Sequence, residues 1–271
     1  MTTTIGVLAI QGAVEEHVVC MQKLGCVTKE IRVPADMEGV EGIILPGGES
    51  TAMAIVGERC GLFPELKKWV EAGKPIWGTC AGMILLSDHA IKQARLGQSL
   101  VGGLDVHVCR NYFGSQMNSC QVDVNIESPF FAQNESDGGG LVNAVFIRAP
   151  AILKCGPKVK VLGSLVAKPH VSALKEVVDL LQAELDDCVL SNGKRPAPSD
   201  AEKDGWIAKR QRSDSIGQSS SAEGQAPSHS FTVAVAVQQE NILACAFHPE
   251  LTGDNRWHRY FLQMVESYKK R

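Results

Sequence analysis

Residues 4–10, TIGVLAI, form a continuous apolar run that stops at Gln11-Gly12. Such a run, with no polar alternation, reads as a strand buried on both faces of a parallel sheet. Residues 42–46 and 75–79 have the same character, and 27–33, the second strand in chain order, is weaker. Between these runs apolar residues recur at helical spacing. Val14, Val18, Val19, Met21 and Leu24 make one such stripe, ended by Gly25, and 64–72 makes another, ended by Gly73. Strands alternating with helices predict βαβ units and an α/β fold, a doubly wound, mostly parallel sheet flanked by helices.

Beyond residue 104 the pattern changes. Strand-like segments at 104–110, 120–126, 143–148 and 158–167 follow one another without long helices, which predicts a mixed or antiparallel extension. Residues 134–140, NESDGGG, read as a loop. An amphipathic helix is predicted over 172–187, with Leu174, Val177, Val178, Leu181 and Leu185 on one face and Lys175, Glu176, Asp179, Glu184 and Asp186 opposite. From 191 to 230 Ser, Gly, Pro, Gln and charge dominate, and Trp206, Ile207 and Ile216 are the only large apolar residues. That is too little apolar surface to offset ordering, so a disordered loop is expected. Strands at 231–237 and 242–247 follow, then a helix over 256–269 with Trp257, Tyr260, Phe261, Met264, Val265 and Tyr268 on one face. The pattern describes a single domain over 1–271 with an insert at about 169–230.

Composition adds exclusions. Hydrophobic residues make up 44% and charged residues 21%, and the net charge is −3, so neither nucleic acid nor a membrane surface is expected as main partner. The N-terminal run has no basic flank and is too short for a signal peptide, and no run is long enough to cross a bilayer. The nine cysteines are scattered without a CxxC pair, which suggests reduced thiols in the cytoplasm.

One of those thiols is singled out by its setting. Residues 75–83, PIWGTCAGM, join a strand to a helical run through Gly78-Thr79-Cys80-Ala81-Gly82. Strand, Gly-x-Cys-x-Gly and helix is the layout of a nucleophile elbow. Its glycines allow a sharp turn, and the helix N-terminus favours a thiolate on the central side chain. A structural cysteine on a Gly-rich turn fits the same five residues. His248 and Glu250, in 247–251, FHPEL, follow another apolar strand and are two apart, so both side chains can face the same rim. A histidine acting as base through one ring nitrogen needs an acceptor at the other. By itself an HPE tripeptide is more often a turn ending a strand. In 45–51, LPGGEST, the Gly47-Gly48 backbone N–H groups, with that of Ala81, could hold an oxyanion. The same loop is also a tight turn with Ser50 or Thr51 capping a helix. Gln11 follows the first strand and should share this rim, because ligands of such sheets bind beyond the strands' carboxyl ends.

Elbow, PGGES loop and C-terminal HPE together resemble the class I (triad) glutamine amidotransferases. IGVLAIQGAVEEH, ILPGGEST, GTCAGMILL, RNYFGSQ at 110–116, VFIRAP at 145–150 and CAFHPELTGD at 245–254 are similar, more narrowly, to the glutaminase subunits of pyridoxal 5′-phosphate synthase. That resemblance spans 4–168 and 231–270. It implies a flavodoxin-like fold in which Cys80 attacks the side-chain amide of L-glutamine, His248 carries the proton and Glu250 orients His248. It implies an oxyanion site at Gly48 and Ala81 and a glutamine pocket of Gly48, Glu49, Ser50, Arg110, Ile147 and Arg148. Gln11 and Gly47 would support the oxyanion region or a subunit contact. No cofactor and no metal are implied. The implied partner is a (β/α)8-barrel pyridoxal 5′-phosphate synthase subunit, in a large hetero-oligomer, which receives the ammonia. The 169–230 insert departs from compact members, which join the flanking strands by a short turn.

Besides the glutaminase subunit of another amidotransferase, two other readings compete. One is a peptidase- or esterase-like cysteine-elbow hydrolase, which the order of PGGES and HPE disfavours. The other is a non-catalytic scaffold, disfavoured by the intact Cys80, His248 and Glu250. The basic clusters Lys194-Arg195 and 209–212, KRQR, are a format that nuclear import receptors grip, which would make the nucleus a second location. Solubilising charge on a loop explains them equally.

Overall fold

The computed structural model describes residues 2–91, 99–114, 120–132, 140–192, 206–210 and 230–271. In chain order the elements are β1 (Thr4–Leu8), α1 (Val14–Lys23), β2 (Val27–Ile31), β3 (Gly42–Leu45), α2 (Ser50–Arg59), α3 (Leu62–Glu71), β4 (Ile76–Thr79) and α4 (Ala81–Leu86). There follow β5 (Ser87–Ile91), β6 (Leu104–Cys109), β7 (Cys120–Asn125), α5 (Pro129–Ala132), β8 (Leu141–Phe146), β9 (Ala151–Cys155), β10 (Lys160–Ala167) and α6 (Val171–Asn192). The chain closes with β11 (Trp206–Ile207), β12 (Lys209–Arg210), β13 (Phe231–Gln239), β14 (Ile242–Cys245) and α7 (Arg256–Lys269).

One sheet organises the molecule, in the order β2-β1-β3-β4-β14-β13-β9-β6-β5. The run from β2 to β14 is parallel throughout, and the pairings β14–β13, β13–β9 and β9–β6 are antiparallel. This is the predicted parallel sheet with a mixed extension. Its central strands are apolar because both faces are covered: every residue of β3, β4 and β14 is buried. Helix α7 closes one face through Trp257, Phe261 and Val265, all inaccessible, and Phe261 meets the Trp77 ring at 5.7 Å. The parallel order matters for the site. β1, β3, β4 and β14 end on one rim, which therefore receives Gln11, Gly47, Cys80 and His248.

Some expectations change. Strands β5 and β9 were not foreseen, and β9 lies between Pro150 and Gly156-Pro157, which read as breakers. Helix α6 runs longer than 172–187. Ala173 and Val177 are buried in it, but Val178 is 43% exposed, so the apolar stripe is narrower than predicted. The expected loop at 191–230 contains two short strands, β11 on β9 and β12 on β13. Ala208 between them is buried and its N–H donates to the Leu153 carbonyl at 2.7 Å. The composition argument counted apolar side chains and omitted the backbone bonds that a sheet edge offers. The rest of that loop, Lys194-Arg195, Arg212 and residues 134–139 lie outside the described residues.

Candidate active site

The elbow forms between β4 and α4. Cys80 has φ 46° and ψ −102°, a conformation that side-chain-bearing residues rarely adopt. It is held there by its N–H donating to the Cys245 carbonyl at 2.8 Å. Gly78 and Gly82 have ordinary φ values, so the turn's strain sits on the cysteine and the glycines supply clearance. A Cβ on Gly78 would lie 2.5 Å from the Gly82 carbonyl carbon, and one on Gly82 2.0 Å from the Leu45 oxygen. Strand and helix can approach this closely only without those side chains.

His248 follows β14, as Cys80 follows the neighbouring β4. Its N–H donates to the Val145 carbonyl at 2.8 Å, which fastens the segment to β8. Its ring lies on Gly47, where a Cβ would come within 2.2 Å of Cε1. Its Nδ1 stands 2.7 Å from Glu250 Oε1, and the Glu250 side chain is wholly buried. Burial disfavours a charged imidazole. The Cys80 side chain and the Glu250 carboxylate, both hydrogen-bonded to the ring, outweigh burial and push the His248 pKa up to about 10. An imidazole joined to a sulfur on one side and a buried carboxylate on the other can accept a thiol proton and keep it.

The glycine loop forms the adjoining wall. Ala13 N–H donates to the Gly47 carbonyl at 2.9 Å, and Glu49 N–H donates to Gln11 Oε1 at 2.7 Å. Gln11 thus braces the loop, and Gly48 lies exposed beside its side-chain oxygen. The cap of α2 is Glu49, where Ser50 or Thr51 was the sequence alternative: its carboxylate accepts from Thr51 N at 3.2 Å and Ala52 N at 2.7 Å. Burial alone would raise the Glu49 pKa, but those N–H groups and Arg110 hold it below the usual carboxylate value. Arg110 Nη2 donates to Ser50 Oγ at 2.9 Å and to Thr51 Oγ1 at 3.0 Å, and lies 3.8 Å from Glu49 Oε1. A cation and a carboxylate side by side suit a zwitterionic amino acid.

Two groups of predicted residues are therefore assembled. Cys80, His248, Glu250 and Gly47 form one, and Gln11, Gly48, Glu49, Ser50 and Arg110 the other, joined through the Gly47-Gly48 peptide. Ala81 is the first residue of α4, buried directly after the nucleophile. Ile147 is half-buried and Arg148 exposed just past β8, with Arg148 in the left-handed region at φ 47°. Val145, two residues before Ile147, holds the His248 backbone through its carbonyl.

Three residues were missed by sequence reasoning. His17, Thr79 and His258 are fully buried behind the Cys80 and His248 pair. A signal was present. His17 shares the apolar stripe of α1 with Val14 and Met21, and His258 that of α7 with Phe261 and Val265, so both should be buried and need partners.

A doubly wound sheet bearing a cysteine elbow, a His–Glu pair on the next strand and a glycine loop beside them defines the class I glutamine amidotransferase architecture. Comparison with known proteins agrees, and the chain belongs to the SNO glutamine amidotransferase family, matching it over residues 7–184 and 213–267. A protein of Arabidopsis thaliana named "Probable pyridoxal 5'-phosphate synthase subunit PDX2" is 39% identical over 267 residues, covering 98% of this chain and 88% of that one. The pyridoxal 5'-phosphate synthase subunit PdxT of Clavibacter michiganensis subsp. michiganensis is 34% identical, covering 97% of this chain and 90% of that one. A solved glutamine amidotransferase superposes with a TM-score of 0.65 at 29% identity, covering 97% of this chain and 98% of that one.

Proposed function

We propose that Cys80, His248 and Glu250 are the triad with which this chain, the glutaminase subunit of a pyridoxal 5′-phosphate synthase, hydrolyses L-glutamine to L-glutamate and ammonia. Cys80 sulfur attacks the side-chain amide carbon while His248 takes the thiol proton. His248 then gives that proton to the departing ammonia, leaving a γ-glutamyl thioester. A water activated by His248 adds to the thioester, releasing glutamate and restoring the thiol. Gly48 and Ala81 N–H groups stabilise the oxyanion in both halves. Arg110, Glu49, Ser50, Ile147 and Arg148 hold the amino-acid end of glutamine.

The observation carrying this reading is the His248 ring, 2.7 Å from the buried Glu250 carboxylate and hydrogen-bonded to a cysteine in a strained elbow. The relatives are named as pyridoxal 5′-phosphate synthase subunits, and the reading extends to this chain as follows: its ammonia passes to a (β/α)8-barrel synthase subunit that assembles pyridoxal 5′-phosphate, within a hetero-oligomer. A free glutaminase would waste glutamine, so activity should be low alone and rise on docking. The Gly47-Gly48 peptide, braced by Gln11 and lying on His248, is the element best placed to switch. Ammonia release with and without the synthase subunit tests this. Strong stimulation supports the reading, and equal turnover refutes the dependence.

The chain is expected to work in the cytoplasm, and among the described residues no helix is long and apolar enough to cross a membrane. Nuclear entry through 209–212 is the added hypothesis, motivated by Lys209 and Arg210, which are exposed on β12. A fluorescent fusion with Lys209, Arg210 and Arg212 changed to Ala should lose any nuclear signal; an unchanged distribution leaves these residues as solubilising charge.

A further inference from the structure

The proposed chemistry leaves a second cluster of buried polar groups unused. Glu250 Oε1 binds His248, whereas Glu250 Oε2 is buried and has no hydrogen-bond partner among the described residues. A buried carboxylate oxygen left without a donor destabilises the fold. His17 Nε2 faces it at 3.5 Å. The same nitrogen lies 3.2 Å from Thr79 Oγ1, on the residue that precedes the nucleophile. The other ring nitrogen of His17 is 3.0 Å from His258 Nε2. His258 Nδ1 has no hydrogen-bond partner among the described residues. One histidine thus touches α7, the last residue of β4 and the segment after β14, the latter two carrying the proposed nucleophile and base.

The proton positions in this cluster follow from its charges. Burial, reinforced by His258 and His248, holds the His17 pKa well below 6.5, and burial lowers that of His258 to about 3. Each ring is therefore neutral and carries one N–H. If His17 donated through Nδ1, its Nε2 lone pair would face the Glu250 carboxylate in a low-dielectric interior, and His258 would bury an unpaired N–H at Nδ1. If His258 donates from Nε2 to His17 Nδ1, the His17 Nε2–H faces both Thr79 Oγ1 and Glu250 Oε2. Only the second arrangement gives the carboxylate a facing donor and leaves neither imidazole N–H orphaned.

We propose that His17 is a positioning residue of the triad, its Nε2–H holding the free oxygen of Glu250 and tying it to the elbow through Thr79, with His258 fixing its tautomer. The proposal rests on the reading of Cys80, His248 and Glu250 as the triad. A carboxylate held at both oxygens cannot rotate, so the His248 Nδ1–H stays fixed and Nε2 stays on the sulfur. The groups facing His17 are Glu250 and His248 beyond β14, His258 on α7, and Thr79 and the Trp77 ring on β4, with Cys20 nearby on its own helix.

Gln and Asn substitutions separate this role from packing. In His17→Gln the amide nitrogen reaches the place of Nε2, whereas in His17→Asn it reaches only that of Nδ1. Glutamine hydrolysis is measured on the full chain with its synthase subunit, after circular dichroism and melting confirm folding. His17→Gln should keep kcat within about threefold, whereas His17→Asn should lower it roughly tenfold or more at little-changed KM. In His17→Asn the alkaline limb of the kcat profile should also move to lower pH, because a weakened carboxylate no longer supports the His248 proton. Equal kcat and equal pH profiles for the two variants would overturn the proposal, as would a raised KM with kcat intact. If neither folds, His258→Leu decides: a shifted pH profile supports the proposal, and an unshifted one overturns it. A Cys80→Ser enzyme with full activity would instead remove the triad itself, a result distinct from any of these.

Discussion

Cys80 carries the strain of the elbow. Its φ of 46° would suit glycine, and such a conformation costs on the order of 1–3 kcal/mol. Cys80→Gly should therefore be more stable than Cys80→Ala by about 1 kcal/mol, read as a higher urea midpoint, with both inactive. A glycine variant no more stable than the alanine variant would remove strain from the account. The buried histidines set the acid limit. The His258 pKa falls to about 3 and that of His17 falls well below 6.5, so between pH 6.5 and these values the unfolded chain binds more protons than the folded one. Stability from these two groups is present above pH 6.5 and is lost as pH falls, by about 1.4 kcal/mol per pH unit for each ring still neutral. His248, whose pKa is raised to about 10, works the other way: its contribution is full below 6.5 and fades as pH rises through 10. Melting temperature should thus drop from pH 6.5 to 5, and the His17→Gln, His258→Leu double variant should drop less steeply. Parallel curves would contradict the assignment.

At the scale of elements, what could be read from the sequence was what depends on burial. Strands β1, β3, β4 and β14 were legible because both faces are covered and the sequence there, Thr4 and Thr79 apart, is apolar. Helix α7 was legible to the residue for a similar reason, its aromatic stripe. Strands β5, SDHAI, and β12, Lys209–Arg210, were not, because backbone pairing rather than apolar side chains places them. The site was legible as three rim motifs. Its buried backing was not, because a single histidine in a helix does not show which element will supply its partner. The glycine loop makes an element-scale prediction. Gly47→Ala would press a Cβ to 2.2 Å from the His248 ring, so it should lower kcat more than tenfold while the sheet remains folded. A Gly47→Ala enzyme with unchanged kcat would mean that the His248 position tolerates movement.

Across the whole molecule, the insert enters and leaves between β10 and β13, where Ala167 pairs with Phe231 beyond the carboxyl end of β14, and it contains none of the residues proposed for the site. Deleting 211–229 with a Gly/Ser bridge should therefore leave glutaminase activity intact. Deleting 191–229 should also keep activity but lower the melting temperature, because it strips β11 and β12 from β9 and β13. Loss of activity in a folded 211–229 deletion would show that the insert takes part in function. The central claim concerns which sulfur does the chemistry, and nine cysteines make the test sharp. The full chain with its synthase subunit is treated with a glutamine-mimicking electrophile and digested, and the labelled cysteine is read by mass spectrometry. The account predicts label on Cys80 first, slowed by added L-glutamine; label appearing mainly on another cysteine would contradict it.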